Sequence, residues 1–456
     1  MLLFGTVPGS WSALLWTFRS CFTAPGFATF VSLVSGLVAA PVRRTVCGMW
    51  TAAGLAGRRH HARAHRFFTT TRWCPDELGV ALARLIVGRL LPAHAPVLIA
   101  VDDTLFRRSG RRVHATGWHH DGSSKGPKTE RISWGNCWIV AGIVITLPYC
   151  SRPVCLPVAF ALWRPAPGRV SVEASKQVIA CQLVARISAA LPGRQVHVVA
   201  DAWYAGADGA PGAARGAHRQ RGLPHGVTLT SRLRANAALH TIATPVPGAP
   251  GRPRRIGQRI GNPKQLAAHH STRWRRTQVH RYGRVDTVEL ADHVLLWYGV
   301  YRSRAVRVIL LREPTARAHD LALITTDHTS TPEQIVARYA ARWAIETTFE
   351  DAKQTTGVGE AHNRTPTAVT RTVPFGLLTH SLVTIWYTHH GHHPRDVTDR
   401  RSAAPWYTTK TEPAYHDMIT KLRRTLIASR FRGGRPDQPT PTETLAIAAA
   451  WAEAAA

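Results

Sequence analysis

Lysine is scarce in this 456-residue chain: only seven of its 58 cationic side chains are lysines, and the rest are arginines. Acids are few as well. The 27 Asp and Glu residues leave a formal charge of +31 at pH 7. So lopsided a balance excludes most enzymes of small anionic substrates and points to a polyanion, either nucleic acid or an anionic membrane face. Because the cations are mostly guanidinium, a grip on phosphate is the natural chemistry. Long hydrophobic runs are also missing. The longest, Phe27 to Pro41, is about 15 residues and falls short of the roughly 20 that a spanning helix needs. No basic segment precedes the early Leu/Phe-rich stretch, so a secretory signal is not expected. The seven cysteines are odd in number, scattered and without a CxxC pair. They support neither a disulfide framework nor a thiolate zinc site, and a reduced, cytoplasmic protein with no membrane partner is expected.

What is present is enough apolar residue, 45% of the chain, to bury a sizeable core. Residues 1–94 read as helical. They carry a basic run from Arg58 to Arg66, followed by Phe67 and Phe68. Such a helix suits a DNA backbone, and the alternative is a solvated face with two core aromatics. From residue 95 the pattern changes. Pro96 to Val101 is a continuous apolar run that stops at Asp102-Asp103, as a buried strand would. Cys137 to Leu147 reads as a second strand, Val172 to Leu191 as a helix, and Gln195 to Ala200 as a strand halting at Asp201. This order predicts an α/β layer fold. Pro245 to Pro263 is too polar and broken for a core and is expected to be an exposed loop or a DNA-tracking segment. Strands are expected at Thr277–Tyr282, Val294–Tyr301, Val306–Leu311 and Leu321–Thr326. A long helix then opens on Thr331-Pro332, a good N-cap with proline at the first helical position. From about His389 follow a polar linker and one amphipathic helix, Tyr415 to Arg430.

With so few carboxylates, those lying at the ends of apolar strands stand out: Asp102/Asp103 and Asp201. A rigid strand end beside an open loop is where catalytic groups gather in α/β sheets. Acids there need a partner or a cation, and an oxygen-only set suits Mg²⁺. The alternative is that each caps a turn. On the predicted helix from Gln334 to Gln354, Tyr339, Arg342, Glu346 and Lys353 fall within about 60° of one face. The alternative there is a surface Arg–Glu pair with a solvated lysine. The histidine groups at His119-His120 and His389 to His393 lack the acid or cysteine partner that a zinc site needs. Trp297, on a predicted strand, either stacks on a displaced base or packs in a core.

The spacing Tyr339-(2)-Arg342-(3)-Glu346-(6)-Lys353 resembles the Y-R-E-K signature of DDE transposases of bacterial insertion sequences, the insertion-sequence-four superfamily. Val101-Asp102-Asp103-Thr104 is similar to that group's first acidic box, and Val198 to Tyr204 to its second. Gly251-Arg-Pro, Gly257-Gln-Arg259, Trp406-Tyr407 and Lys410 to Pro413 resemble a subgroup of DDE superfamily endonucleases. The resemblance implies a ribonuclease H-like catalytic core interrupted by a β-rich insertion, with helical N-terminal and C-terminal regions. The corresponding divisions are 1–94 (helical, DNA-binding), 95–235 (first part of the core), 236–330 (insertion with the basic loop), 331–388 (second part, with the signature helix) and 389–456 (linker and helices). It implies Asp102, Asp201 and Glu346 as catalytic ligands of two Mg²⁺ ions, with Mn²⁺ as a substitute. Asp103 stays open as the alternative to Asp102: strand alternation points only one inward, and Asp102 puts Thr104 in register with a D-x-T box. DNA contacts are expected from Tyr339, Arg342, Lys353, Arg252, Arg254, Arg255, Arg259 and Trp297. The implied activity is strand cleavage and transfer at element ends. Double-stranded DNA, terminal inverted repeats and target DNA are the partners, engaged by a homodimer assembled on DNA and associated with the nucleoid. The rival expectation is a non-catalytic, transposase-derived DNA-binding protein, which would not need the acids.

Overall fold

The computed structural model describes residues 7–40, 42, 44–121, 132–164, 175–205, 222–244, 253–316 and 318–431. Five helices come first: α1 (Gly9–Trp16), α2 (Ala24–Ala39), α3 (Val46–Ala52), α4 (Ala62–Thr69) and α5 (Pro75–Leu90). Their starts are written in the sequence. Thr23 and Thr45 cap α2 and α3 by accepting main-chain N–H bonds, and Pro75 with Asp76 and Glu77 opens α5. Phe67 and Phe68 are buried in a cluster with Phe22, Phe30, Trp73 and Phe375. The aromatics after the basic run therefore belong to the core, while Arg58, His60, His61, His65 and Arg66 stay exposed.

The sheet begins with β1 (Val97–Arg107), β2 (Gly117–His120), β3 (Ile132–Ile145) and β4 (Val154–Trp163), then crosses by α6 (Lys176–Ala190) to β5 (Val196–Ala200) and β6 (Thr228–Arg232). Next come β7 (Leu239–Ile242), β8 (Ile256–Gly261), α7 (Pro263–Ala268), β9 (Arg275–Arg281), β10 (Arg284–Leu295), α8 (Tyr298–Tyr301), β11 (Val306–Arg312) and β12 (Leu321–Thr325). The chain ends in α9 (Pro332–Ala341), α10 (Trp343–Gln354), α11 (Pro366–Trp386), α12 (Asp396–Ala403) and α13 (Tyr415–Phe431).

Ten strands form one mixed sheet. β4, β3 and β1 are joined antiparallel, and β1, β5 and β6 are joined parallel. A spatial order of third, second, first, fourth and fifth strand with that change of direction at β1 is compatible with a ribonuclease H-like fold. All five residues of β5 are buried, as a parallel strand covered on both faces requires. β12, β11, β10 and β9 then extend the sheet antiparallel from β6, with β9 at the far edge. The strands between Asp201 and Glu346 thus continue the main sheet, apart from β7 and β8, which pair with each other.

Three local expectations are corrected. β1 does not stop at Asp102-Asp103 but runs on to Arg107, because pairing with β3 continues through both acids (Asp102 with Val140, Asp103 with Ile139). Val294–Tyr301 is not one strand, since β10 ends at Leu295 and residues 298–301 form a helical turn. The helix after Thr331 is broken at Arg342 into α9 and α10. Its start is as expected, a capping box between Thr331 and Gln334. The break sits where the packing partner changes. α9 lays Ile335 and Val336 on a core made with Val279, Val288, Leu290, Ile309, Leu311 and Leu323, whereas Ile345 and Phe349 of α10 join the core around β1. Among the described residues no helix is long and apolar enough to cross a membrane.

Candidate active site

β1 and β5 run parallel in register up to the pair Val101–Ala200, and there β5 ends. Asp102 and Asp201 are the next residues on the two neighbours, at the point where the edge of β1 toward β5 loses its partner. This is the crevice at strand C-termini where open α/β sheets place ligands. Asp201 is fixed from both sides: its carboxylate accepts the Trp203 N–H at 2.9 Å, and its carbonyl accepts the Ser231 hydroxyl at 2.6 Å.

Alternation along β1 sends the adjacent aspartates to opposite faces. Asp103 is taken up by the α6 side, where Lys176 pairs with it at 2.6 Å, Tyr204 donates its hydroxyl at 3.1 Å and the Cys137 thiol lies at 3.5 Å. Asp102 faces the α9–α10 joint. One Arg342 terminal nitrogen reaches its Oδ2 at 3.2 Å, and the other reaches Glu346 Oε1 at 2.6 Å. Two acids from distant segments are thus bridged by one guanidinium, whose charge also favours the ionised form of Asp201.

The electrostatics follow from crowding. Burial, with the neighbouring carboxylates of Asp201 and Asp103, pushes the Asp102 carboxyl up to about 7 although Arg342 opposes it. Burial also raises Asp201, against the main-chain N–H groups of Trp203 and Tyr204 and the charge of Arg342. Burial works against the charge of Arg342, but Asp102 and Glu346 outweigh it and raise its pKa. Tyr339 is raised by burial, and its ring lies 5.8 Å from the Arg342 guanidinium.

Tyr339, Arg342 and Glu346 are therefore brought together with Asp102 and Asp201. Lys353 is carried further along β1. Its ammonium lies 5.6 Å from the Phe106 ring, in a hollow of about 370 Å³ lined by Arg107, Asp121, Val358 and Glu360, and burial lowers its pKa. Arg254, Arg255 and Arg259 are exposed before and on β8, and Arg252 lies outside the described residues. Trp297 is only 6% exposed, precedes α8 and packs with Tyr301 and Leu295, so its surroundings are those of a core residue rather than a stacking platform. His119 sits against the Trp163 ring and His392 stacks on Tyr149.

Sequence reasoning missed Lys176 and Arg232. The signal for Lys176 was local, a cation at the first position of a helix, where the helix dipole disfavours it unless an acid is near. Arg232 ends β6, and its charge acts on Tyr339. Trp203 is 57% exposed two residues past Asp201.

Oxygen-only donors of this kind fit a hard divalent cation, and the upward push on Asp102 is the strain that such a cation relieves. As placed, no three His, Cys, Asp or Glu side chains among the described residues form a group that could hold a metal ion. A guanidinium stands between Asp102 and Glu346. The sequence matches the family described as DDE superfamily endonuclease over residues 17–289, a stretch that includes Asp102, Asp103 and Asp201 and ends before Arg342. No curated protein gives a significant match. Spanning more than half of the chain and both aspartate segments, the family match and the acid-lined crevice lead to one statement: this chain belongs to the DDE superfamily endonucleases.

Proposed function

We propose that the chain is a transposase of the insertion-sequence-four type, cutting DNA strands at element ends and joining them to target DNA. The observation that carries this reading is the placement of Asp102 and Asp201 side by side where β5 ends, with one guanidinium bridging Asp102 to Glu346. Asp102, Asp201 and Glu346 would hold two Mg²⁺ ions, with Asp103 committed to Lys176 and Tyr204. Bound there, the metals supply a nucleophile of lowered pKa and stabilise the leaving oxygen of an in-line displacement. The remaining work belongs to the protein. The Trp203 N–H and Ser231 hydroxyl fix Asp201, while Tyr339 flanks Arg342, which would grip a phosphate flanking the scissile bond once released from the acids. Lys353, the exposed arginines near β8, and Arg58 and Arg66 before and on α4 supply sequence-tolerant affinity along the DNA, and a homodimer assembled on the element ends is the expected form.

A Mg²⁺-dependent nicking assay on duplex DNA tests the reading. Cleavage that needs the metal and is lost in Asp201→Asn supports it. DNA binding with no cleavage under any divalent cation sinks it and leaves the non-catalytic DNA-binding alternative. Inverted repeats bracketing the reading frame are the genomic counterpart of that result.

A further inference from the structure

We propose that Arg342 couples metal loading to DNA engagement, by holding the acidic set when no metal is bound and leaving it for a DNA phosphate when one is. The inference rests on the reading of Asp102 and Glu346 as metal ligands and goes one step past it. Both terminal nitrogens of Arg342 are committed, one to each of these acids, and its side chain is only 13% exposed. An ion ligated by both carboxylates at about 2.1 Å needs the space and the lone pairs that the guanidinium now uses. Among the described residues no other cation bonds to Asp102 or Glu346: Lys176 is taken by Asp103 on the opposite face, and Lys353 lies over Phe106.

The same guanidinium is the group nearest the acids that can grip a phosphate, so the two uses exclude each other. Without metal, moving Arg342 to DNA leaves Asp102 and Glu346 unpaired beside Asp201 and a phosphate, a cluster of uncompensated anions. Without DNA, a metal ion must evict Arg342 and leave two cationic centres side by side. With both ligands present the acids face metal and the phosphate faces Arg342, so each group has a neighbour of opposite charge. The two binding events are then positively coupled, and linkage makes the coupling equal in both directions. The position of Arg342 suits the exchange. It lies at the joint of α9 and α10, where its own N–H bonds Tyr339 three residues back rather than four, so that a regular helix does not constrain it on both sides.

The test uses the full chain and Mn²⁺, with free ion counted by its paramagnetic resonance signal. Binding is measured with and without a saturating short DNA duplex, before cleavage product accumulates, and the ion bound by DNA alone is subtracted. In the unaltered protein DNA should tighten Mn²⁺ binding by about 5- to 150-fold, the usual span of coupled sites. Arg342→Gln should bind Mn²⁺ more tightly than the parent without DNA and gain little on adding it. Arg342→Lys keeps one charge but cannot bridge two carboxylates, and should show a reduced enhancement. Lys353→Ala should need more DNA to saturate yet show the parental enhancement. Circular dichroism melting checks that each variant is folded. Equal Mn²⁺ affinity with and without DNA in the parent, or a full enhancement in folded Arg342→Gln, overturns the inference while leaving the ligand assignment standing. Failure of the parent to bind Mn²⁺ in either state removes the ligand assignment, and the inference falls with it.

Discussion

Two adjacent aspartates meet two different cations, and that division gives each side chain of the site its own test. Asp102 is the one whose carboxyl is pushed up to about 7, chiefly by burial. A raised acid pKa means that the folded chain holds a proton which the unfolded chain gives up near pH 4. Between about pH 4 and pH 7 the Asp102 contribution to metal-free stability must therefore fall as pH rises. Asp201 is raised as well and adds a trend of the same sign, so the comparison has to be between the parent and Asp102→Asn. The variant should gain on the parent across that window when melting is followed at several pH values, and parallel profiles would show that Asp102 does not carry the shift. Glu346→Gln addresses chemistry. It keeps volume and hydrogen bonding but removes the charge that the proposed metal set takes from it, so cleavage should drop by about 100-fold or more. DNA affinity should hold or rise slightly, because one anion near phosphate has gone. A Gln variant that cleaves at close to the parental rate would make Glu346 an ordinary helix acid.

At the scale of elements, close packing between helix and strand fixes the outcome of a simple substitution. Gly79 of α5 lies so near β4 that a Cβ there would meet the Val158 carbonyl oxygen at 2.0 Å. Helix propensity favours alanine over glycine by about 1 kcal/mol. A collision with main chain is the larger effect, so Gly79→Ala should lower the melting temperature, whereas Gly88→Ala, with open space around it, should raise it or leave it unchanged. Thermal melts of both variants decide this. The same contrast between local and tertiary causes explains what could be read from the sequence. The apolar run into Asp102, the strand ending at Asp201 and the Thr331-Pro332 helix start depend on neighbours in the chain, and all three are found. Of the four residues expected on one helical face, Tyr339, Arg342 and Glu346 lie together across the break at Arg342, whereas Lys353 lies over Phe106. The continuation of β1 past two charged residues was not legible, because it depends on pairing with β3, from Asp102 with Val140 to Arg107 with Gly135. The break at Arg342 has no proline or glycine to announce it and arises from a change of packing partner. Of the two readings of Trp297, core packing is the one found, although the residue lies just before α8 and not on a strand. Arg252 lies outside the described residues.

For the molecule as a whole, a formal charge of +31 carried mostly by arginine predicts DNA binding that is steep in salt. The log–log slope of the affinity should approach about −0.9 per phosphate neutralised, read from a titration at several salt concentrations. Affinity that hardly changes from low to moderate salt would deny the basic surface a DNA role. The charge has a second effect at the rim of the sheet. A ten-stranded open sheet ends at β9 with a row of main-chain donors and acceptors, an invitation to strand addition by another chain. β9 carries Arg275, Arg276, His280 and Arg281; the first three are exposed, and Arg275 and Arg281 are paired with acids of their own chain while Arg276 faces outward. Two such edges brought together would set guanidinium against guanidinium. The residues that make the surface welcome nucleic acid thus also make it refuse a copy of itself along this edge. The guard is electrostatic, so it weakens wherever polyanions or high salt neutralise it, and misassembly into strand-paired aggregates is to be expected first under those conditions.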